Sequence, residues 1–160
     1  MRKLIPLATV IAIVGALAAG VAASTAATTA RTSRITCNWT QYNPAPADLS
    51  GVVIGFIRCS KPLGNGVISA TYTATVNQTT GAGTAKGTWT KWLLAGTAHG
   101  RYSQTFQFTS NNDATYKSAI TWTGGTGAYK GVKGTGSETC NTTNGGATLT
   151  CKAVDMVTGL

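Results

Sequence analysis

Alternation of apolar with hydroxyl-bearing or charged side chains limits this chain's folding options more than any other feature. Ile68, Ala70, Tyr72, Ala74 and Val76 interleave with Ser69, Thr71, Thr73 and Thr75. The same period of two runs through Tyr102, Gln104, Phe106 and Phe108 against Arg101, Ser103, Thr105 and Gln107. It returns in Tyr116, Ser118, Ile120 and Trp122 against Lys117, Ala119 and Thr121. Successive side chains of a strand point to opposite faces, so each such segment has one buried and one wetted face. A helical period of 3.6 is not sustained anywhere after the N-terminal run, and Gly, Asn, Pro and Ser punctuate the segments.

By this criterion strands are expected near residues 35–42, 51–59, 66–77, 84–94, 100–110, 115–123, 128–140 and 147–156. Turn-linked strands at this spacing imply an all-β antiparallel sheet, and eight is the number at which a closed barrel leaves room for side chains or one small ligand. Closure also removes the exposed strand edges that would otherwise invite aggregation.

The N-terminus follows different rules. Met1, Arg2 and Lys3 precede an uncharged apolar run from Leu4 to Val21, the layout of a secretory signal helix. Small residues place cleavage after Val21-Ala22-Ala23, with Ala27 as an alternative; an uncleaved anchor is the competing reading, because the run reaches the lower limit for spanning a bilayer. The expected organisation is a signal peptide over 1–23, a flexible lead-in over 24–33 and a single β-barrel domain over 34–160. Such a protein is secreted or periplasmic, and touches the membrane only through the signal segment before cleavage.

Cysteine usage agrees with export. Cys37, Cys59, Cys140 and Cys151 show no C-x-x-C spacing, which favours disulfides over metal binding in an oxidising compartment. If Gly145-Gly146 is a two-residue hairpin turn, Asn144 faces Ala147 and the register carries Cys140 opposite Cys151. Cys37 then pairs with Cys59 and clamps the loop Asn43-Pro44-Ala45-Pro46-Ala47-Asp48. A turn centred on Asn144-Gly145 would instead place Cys140 opposite Leu149.

The net charge of +9 comes from thirteen Lys and Arg against four Asp and Glu, with one His. The cations, Lys91 among them, are spread along the chain, as on a solvated surface, and no specific nucleic-acid partner is expected. So few acids rule out a multi-metal carboxylate site, and no metal or cofactor is expected.

The most specific local string runs from Thr123-Gly124-Gly125-Thr126-Gly127 through Ala128-Tyr129-Lys130-Gly131-Val132-Lys133-Gly134 to Gly136. It reads as a Gly hairpin feeding a strand in which Tyr129 and Val132 pack. It is no phosphate loop, because neither Gly-Lys-Ser/Thr nor a helix follows. Here the chain resembles the dirigent and allene oxide cyclase-like β-barrel superfamily, over roughly residues 100–136 and the pattern G-G-T-G-x-[FY]-x-G-x-x-G. That resemblance implies an eight-stranded barrel with an apolar lumen, in a group containing enzymes that cyclise or orient reactive apolar substrates. No catalytic residue carries over, since the acidic and polar lumen groups of the plant enzymes have no matching position. A lesser likeness, in Gly87-Thr88-Trp89-Thr90-Lys91-Trp92-Leu93-Leu94 and Ile120-Thr121-Trp122, is to avidin-like barrels.

Two classes of function follow. In the first, an exported barrel holds a small apolar or aromatic molecule in its lumen, with or without isomerase- or cyclase-like chemistry; Tyr72, Phe106 and Trp122 share the buried parity of their strands and are the expected ligand-binding residues. Glu138, between Ser137 and Thr139, is the candidate catalytic acid or base if it faces the lumen, although the preceding glycines leave its parity open. His99, beside Gly100 in an expected turn, reads as solvated. In the second class, the barrel is filled by its own side chains and acts as a structural or interaction protein of the envelope through its basic, Thr- and Trp-rich exterior. Whether the protein is an enzyme, and its oligomeric state, are left open by these residues.

Overall fold

In a computed structural model, residues 31–160 are described; the expected signal helix and most of the expected lead-in lie outside them. Eight antiparallel strands follow one another around a closed barrel, each paired with its sequence neighbours and the last with the first. They are β1 (Ser33–Tyr42), β2 (Ser50–Cys59), β3 (Asn65–Val76), β4 (Ala82–Leu93), β5 (Gly96–Phe108), β6 (Ala114–Gly125), β7 (Lys133–Thr142) and β8 (Thr148–Thr158). The β1–β8 pairing, from Ser33 opposite Val157 to Tyr42 opposite Thr148, closes the sheet on itself.

The alternation in the sequence sorts inside from outside. On β8, Leu149, Cys151, Ala153, Asp155 and Val157 are buried while Thr150, Lys152, Val154 and Met156 face outward. On β4, Trp89, Lys91 and Leu93 are buried. The core combines these inward rows with Ile35, Ile57, Ile68, Ile120 and Trp122. Outward-facing hydroxyls pair across strands, Thr71 with Thr88 and Thr75 with Thr84, at 3.0 Å each.

Two expectations need correction. The strand drawn over 128–140 begins at Lys133, because Gly127–Tyr129 forms a single 3₁₀ turn. Gly127 takes a left-handed φ of 58°, and Ala128 N–H donates to the Ala95 carbonyl of the β4–β5 turn at 2.9 Å. This folds Tyr129 and Val132 inward, both buried, as a plug over one end of the barrel. His99 lies within β5 rather than in a turn, at a bulge where the pairing with β6 shifts register, and its ring Nδ1 is 3.1 Å from Thr123 Oγ1.

The cysteines pair as the register requires. Cys140 faces Cys151 across β7–β8, Cys37 faces Cys59 across β1–β2, and both pairs form disulfides with Cα atoms 4.1 and 4.0 Å apart. Two disulfides are compatible with an extracellular or periplasmic setting.

Candidate functional site in the barrel lumen

The plug closes the end carrying the β2–β3, β4–β5 and β6–β7 connections. The opposite end is open, and a cavity of about 500 Å³ runs into the lumen from it. Its wall is largely aromatic and aliphatic, with Trp39, Trp89, Tyr102, Phe106, Tyr116 and Leu149 prominent. Small residues make that space: Ala70, Ala74 and Ala85 face inward where larger side chains would fill the barrel.

The three residues expected to bind ligand are all inward-facing but do different work. Tyr72 lines the cavity at its mouth, where its hydroxyl accepts from Asn43 Nδ2 at 3.3 Å. The same hydroxyl has the carbonyls of Ala45 and Asp48 within 3.1 and 3.3 Å as acceptors, so Tyr72 fastens the Pro-containing β1–β2 loop over the rim. Phe106 is part of the wall, packed against Phe108 and Tyr116 with ring centroids 5.7 and 5.4 Å away. Trp122 is fully buried below the cavity, edge-on to Trp89 at 4.9 Å, and belongs to the floor.

Glu138 points into the lumen and lines the cavity. A polar chain reaches it across three strands: Gln104 Nε2 donates to Ser118 Oγ at 3.0 Å, and Ser118 Oγ donates to Glu138 Oε1 at 3.4 Å. Burial pushes the Glu138 carboxyl up to about 7, against the opposing pull of the Lys91 charge. The same oxygen lies 2.9 Å from Cys140 Sγ. That sulfur is in a disulfide and has no proton to give, so the contact suits a protonated carboxyl donating to sulfur. Glu138, Cys140 and Cys151 cluster closely enough to suggest a metal site, but neither sulfur is available as a thiolate.

Beneath this lies a charge pair, of which the sequence places Lys91 on the solvated surface. Lys91 on β4 is 2% exposed and Asp155 on β8 is 0% exposed, with Lys91 Nζ 3.6 Å from Asp155 Oδ2. The ammonium sits 4.3 Å from the Trp122 ring centroid and 4.8 Å from that of Trp89, in cation–π range of both. Burial pulls the Lys91 amine down from its usual range while Asp155 opposes the fall; burial pushes the Asp155 carboxyl up while Lys91 opposes the rise. Neither Lys91 Nζ nor either Asp155 oxygen has a hydrogen-bond partner. The signal for both residues was their parity: Lys91 falls in the row of Trp89 and Leu93, and Asp155 in the row of Cys151, Ala153 and Val157.

The lumen therefore offers an aromatic-walled space with the Glu138 carboxyl facing it, Asp48 at its rim and a buried ion pair at its floor. No family model, curated protein or solved structure matches the chain.

Proposed function

We propose that this is an exported barrel that holds one small apolar or aromatic molecule in its lumen, with Glu138 placed to exchange a proton with it. The observation that carries this reading is the open cavity of about 500 Å³, within the range of small-molecule sites, with aromatic rings in its wall and the Gln104–Ser118–Glu138 polar chain reaching it. A carboxyl held near neutrality is suited to general acid or base work on such a guest, which is what an isomerase or cyclase needs. The likeness of the 124–136 string to the dirigent and allene oxide cyclase-like barrels points the same way and is part of the proposal.

Native mass spectrometry of the protein, extracted mildly from the cells that export it, tests the binding step. A single co-purifying species of a few hundred daltons, or stoichiometric quenching of tryptophan fluorescence by added apolar aromatics, is the expected result. Absence of both would remove the proposal. Proton exchange is tested separately: Glu138→Gln should keep binding and lose turnover of any substrate found.

A second reading draws on the exterior. Outward-facing Val52, Ile54 and Phe56 on β2 and Trp92 on β4 are exposed, Phe56 by 81%. Phe56 pairs with Val67, and Val67 with Trp92, so an apolar band crosses three strands. Such a band favours an interaction role alongside, rather than instead of, lumen binding.

A further inference from the structure

The buried Lys91–Asp155 pair is poorly accounted for as a salt bridge. Two ions taken out of water need short, well-directed hydrogen bonds to offset their desolvation, and these have none. At 3.6 Å the contact is too long for a hydrogen bond, yet it brings the nitrogen to van der Waals distance from the carboxyl group. The site is also buried, against the Trp89 and Trp122 rings and Ile35, which pairs with Asp155 across β1–β8. Room for the carboxyl is made by Gly136, where a Cβ would lie 1.8 Å from Asp155 Oδ1.

We propose that Lys91 and Asp155 condense, after folding, into an intramolecular amide that joins β4 to β8 through the barrel interior, with Glu138 as the proton carrier. Proton transfer from Lys91 to Asp155 first gives a neutral amine and a neutral acid, the forms that burial favours for both partners. The amine nitrogen then attacks Asp155 Cγ. Glu138, which lines the same cavity as Lys91 and stands two residues along β7 from Gly136, the partner of Asp155, takes a proton from the nitrogen and returns it to the departing hydroxyl. One C–N bond forms, one C–O bond breaks and one water leaves; no oxidant or co-reactant is required. Fixing the two groups in contact supplies the effective concentration that an amine and a carboxylic acid lack in solution. The released water has an exit, because Lys91 also borders the cavity that opens at the barrel mouth.

The product resolves what the pair leaves unresolved. Two buried charges become one neutral amide, and the link spans the lumen between strands that stand opposite one another in the order β1 to β8. It also differs in kind from the two disulfides, each of which joins adjacent strands.

The test is the mass of the mature exported protein, reduced, alkylated and unfolded, with its N-terminus determined. The expected value is one water below that of the sequence, and fragmentation should yield a branched peptide linking Lys91 to Asp155. Full mass, or a water loss that maps to any other residue, overturns the proposal. Glu138→Gln, shown by circular dichroism to be folded, should retain the water. If it cross-links as fast as the parent, Glu138 is not the proton carrier.

Discussion

At the scale of single residues, the chemistry of the lumen was partly written in parity. Tyr72 and Phe106 were legible as cavity residues because the alternation in β3 and β5 is unbroken. Glu138 was not, because Gly131, Gly134 and Gly136 before it obscure which face each residue takes; the β7 ladder resolves this by pairing Glu138 with Ser118 and Ala153, both inward-facing. Lys91 and Asp155 were missed for a different reason. A charge in a strand is normally solvated, so composition argued outward while parity argued inward, and parity prevailed because each buried charge has the other beside it. Two predictions belong here. Gly136→Ala should destabilise the fold by about 1–3 kcal/mol in urea unfolding, since the new methyl would overlap Asp155 Oδ1 and cannot be accommodated without moving β8. The second concerns pH. Glu138 is raised from an ordinary 4.5 to about 7, so between those values the folded chain holds a proton that the unfolded chain has released. Each increase in pH across that window then favours unfolding, and the contribution is flat above it. The urea midpoint of the parent should fall from pH 4.5 to 7, and Glu138→Gln should remove that part of the slope. Burial is the main cause of the shift, so the direction persists whether or not Lys91 and Asp155 are joined.

At the scale of elements, strand existence was read correctly from the two-residue period, and the largest boundary error lies where glycine chemistry overrides it. Residues 127–132 carry Tyr and Val at a spacing that suits a strand, yet the positive φ of Gly127 and Gly131 turns the segment into the plug. Sequence alone gave both side chains as packed; what they pack against depends on Ala95 and Thr97, whose carbonyls accept from Ala128 and Thr126 at 2.9 and 2.8 Å. The cysteine pairing succeeded because hairpin register is arithmetic once the turn is known. Gly145 and Gly146 both take positive φ, at 68° and 90°, as the turn required. The two disulfides close spans of 22 and 11 residues. Loop-closure entropy then assigns Cys37–Cys59 about 3.4 kcal/mol and Cys140–Cys151 about 2.8 kcal/mol, so removing either by paired Cys→Ala substitution should cost roughly 3 kcal/mol, the first slightly more. Urea midpoints of the two double variants measure the difference, and the opposite ranking would show that packing of the buried cysteines outweighs loop closure.

At the scale of the whole molecule, the barrel is asymmetric along its axis, and that asymmetry gives the lumen a mouth and a floor. One end is plugged by Leu63, Leu93, Tyr129 and Val132. The other is rimmed by Asn43, Asp48, Asn77 and Asn111, which leave the aromatic wall open to a guest. No periodicity reveals whether an eight-stranded barrel is filled or hollow, because the same parity serves a core and a cavity wall. The outcome turns on side-chain size in the inward rows, where Ala70, Ala74 and Ala85 stand on the neighbouring strands β3 and β4. Enlarging one of them is therefore a direct test of the hollow. Ala74→Trp, placed in the cavity wall near the mouth rather than in the packed floor, should occupy guest space without displacing core residues. Its affinity for an apolar aromatic probe, read by tryptophan-independent anisotropy of the probe, should fall at least about tenfold, equivalent to ~1.4 kcal/mol. Its urea midpoint should hold, because the larger side chain enters the cavity rather than the packed floor. Unchanged probe affinity with unchanged stability would place the guest outside the lumen and move attention to the exposed apolar band around Phe56.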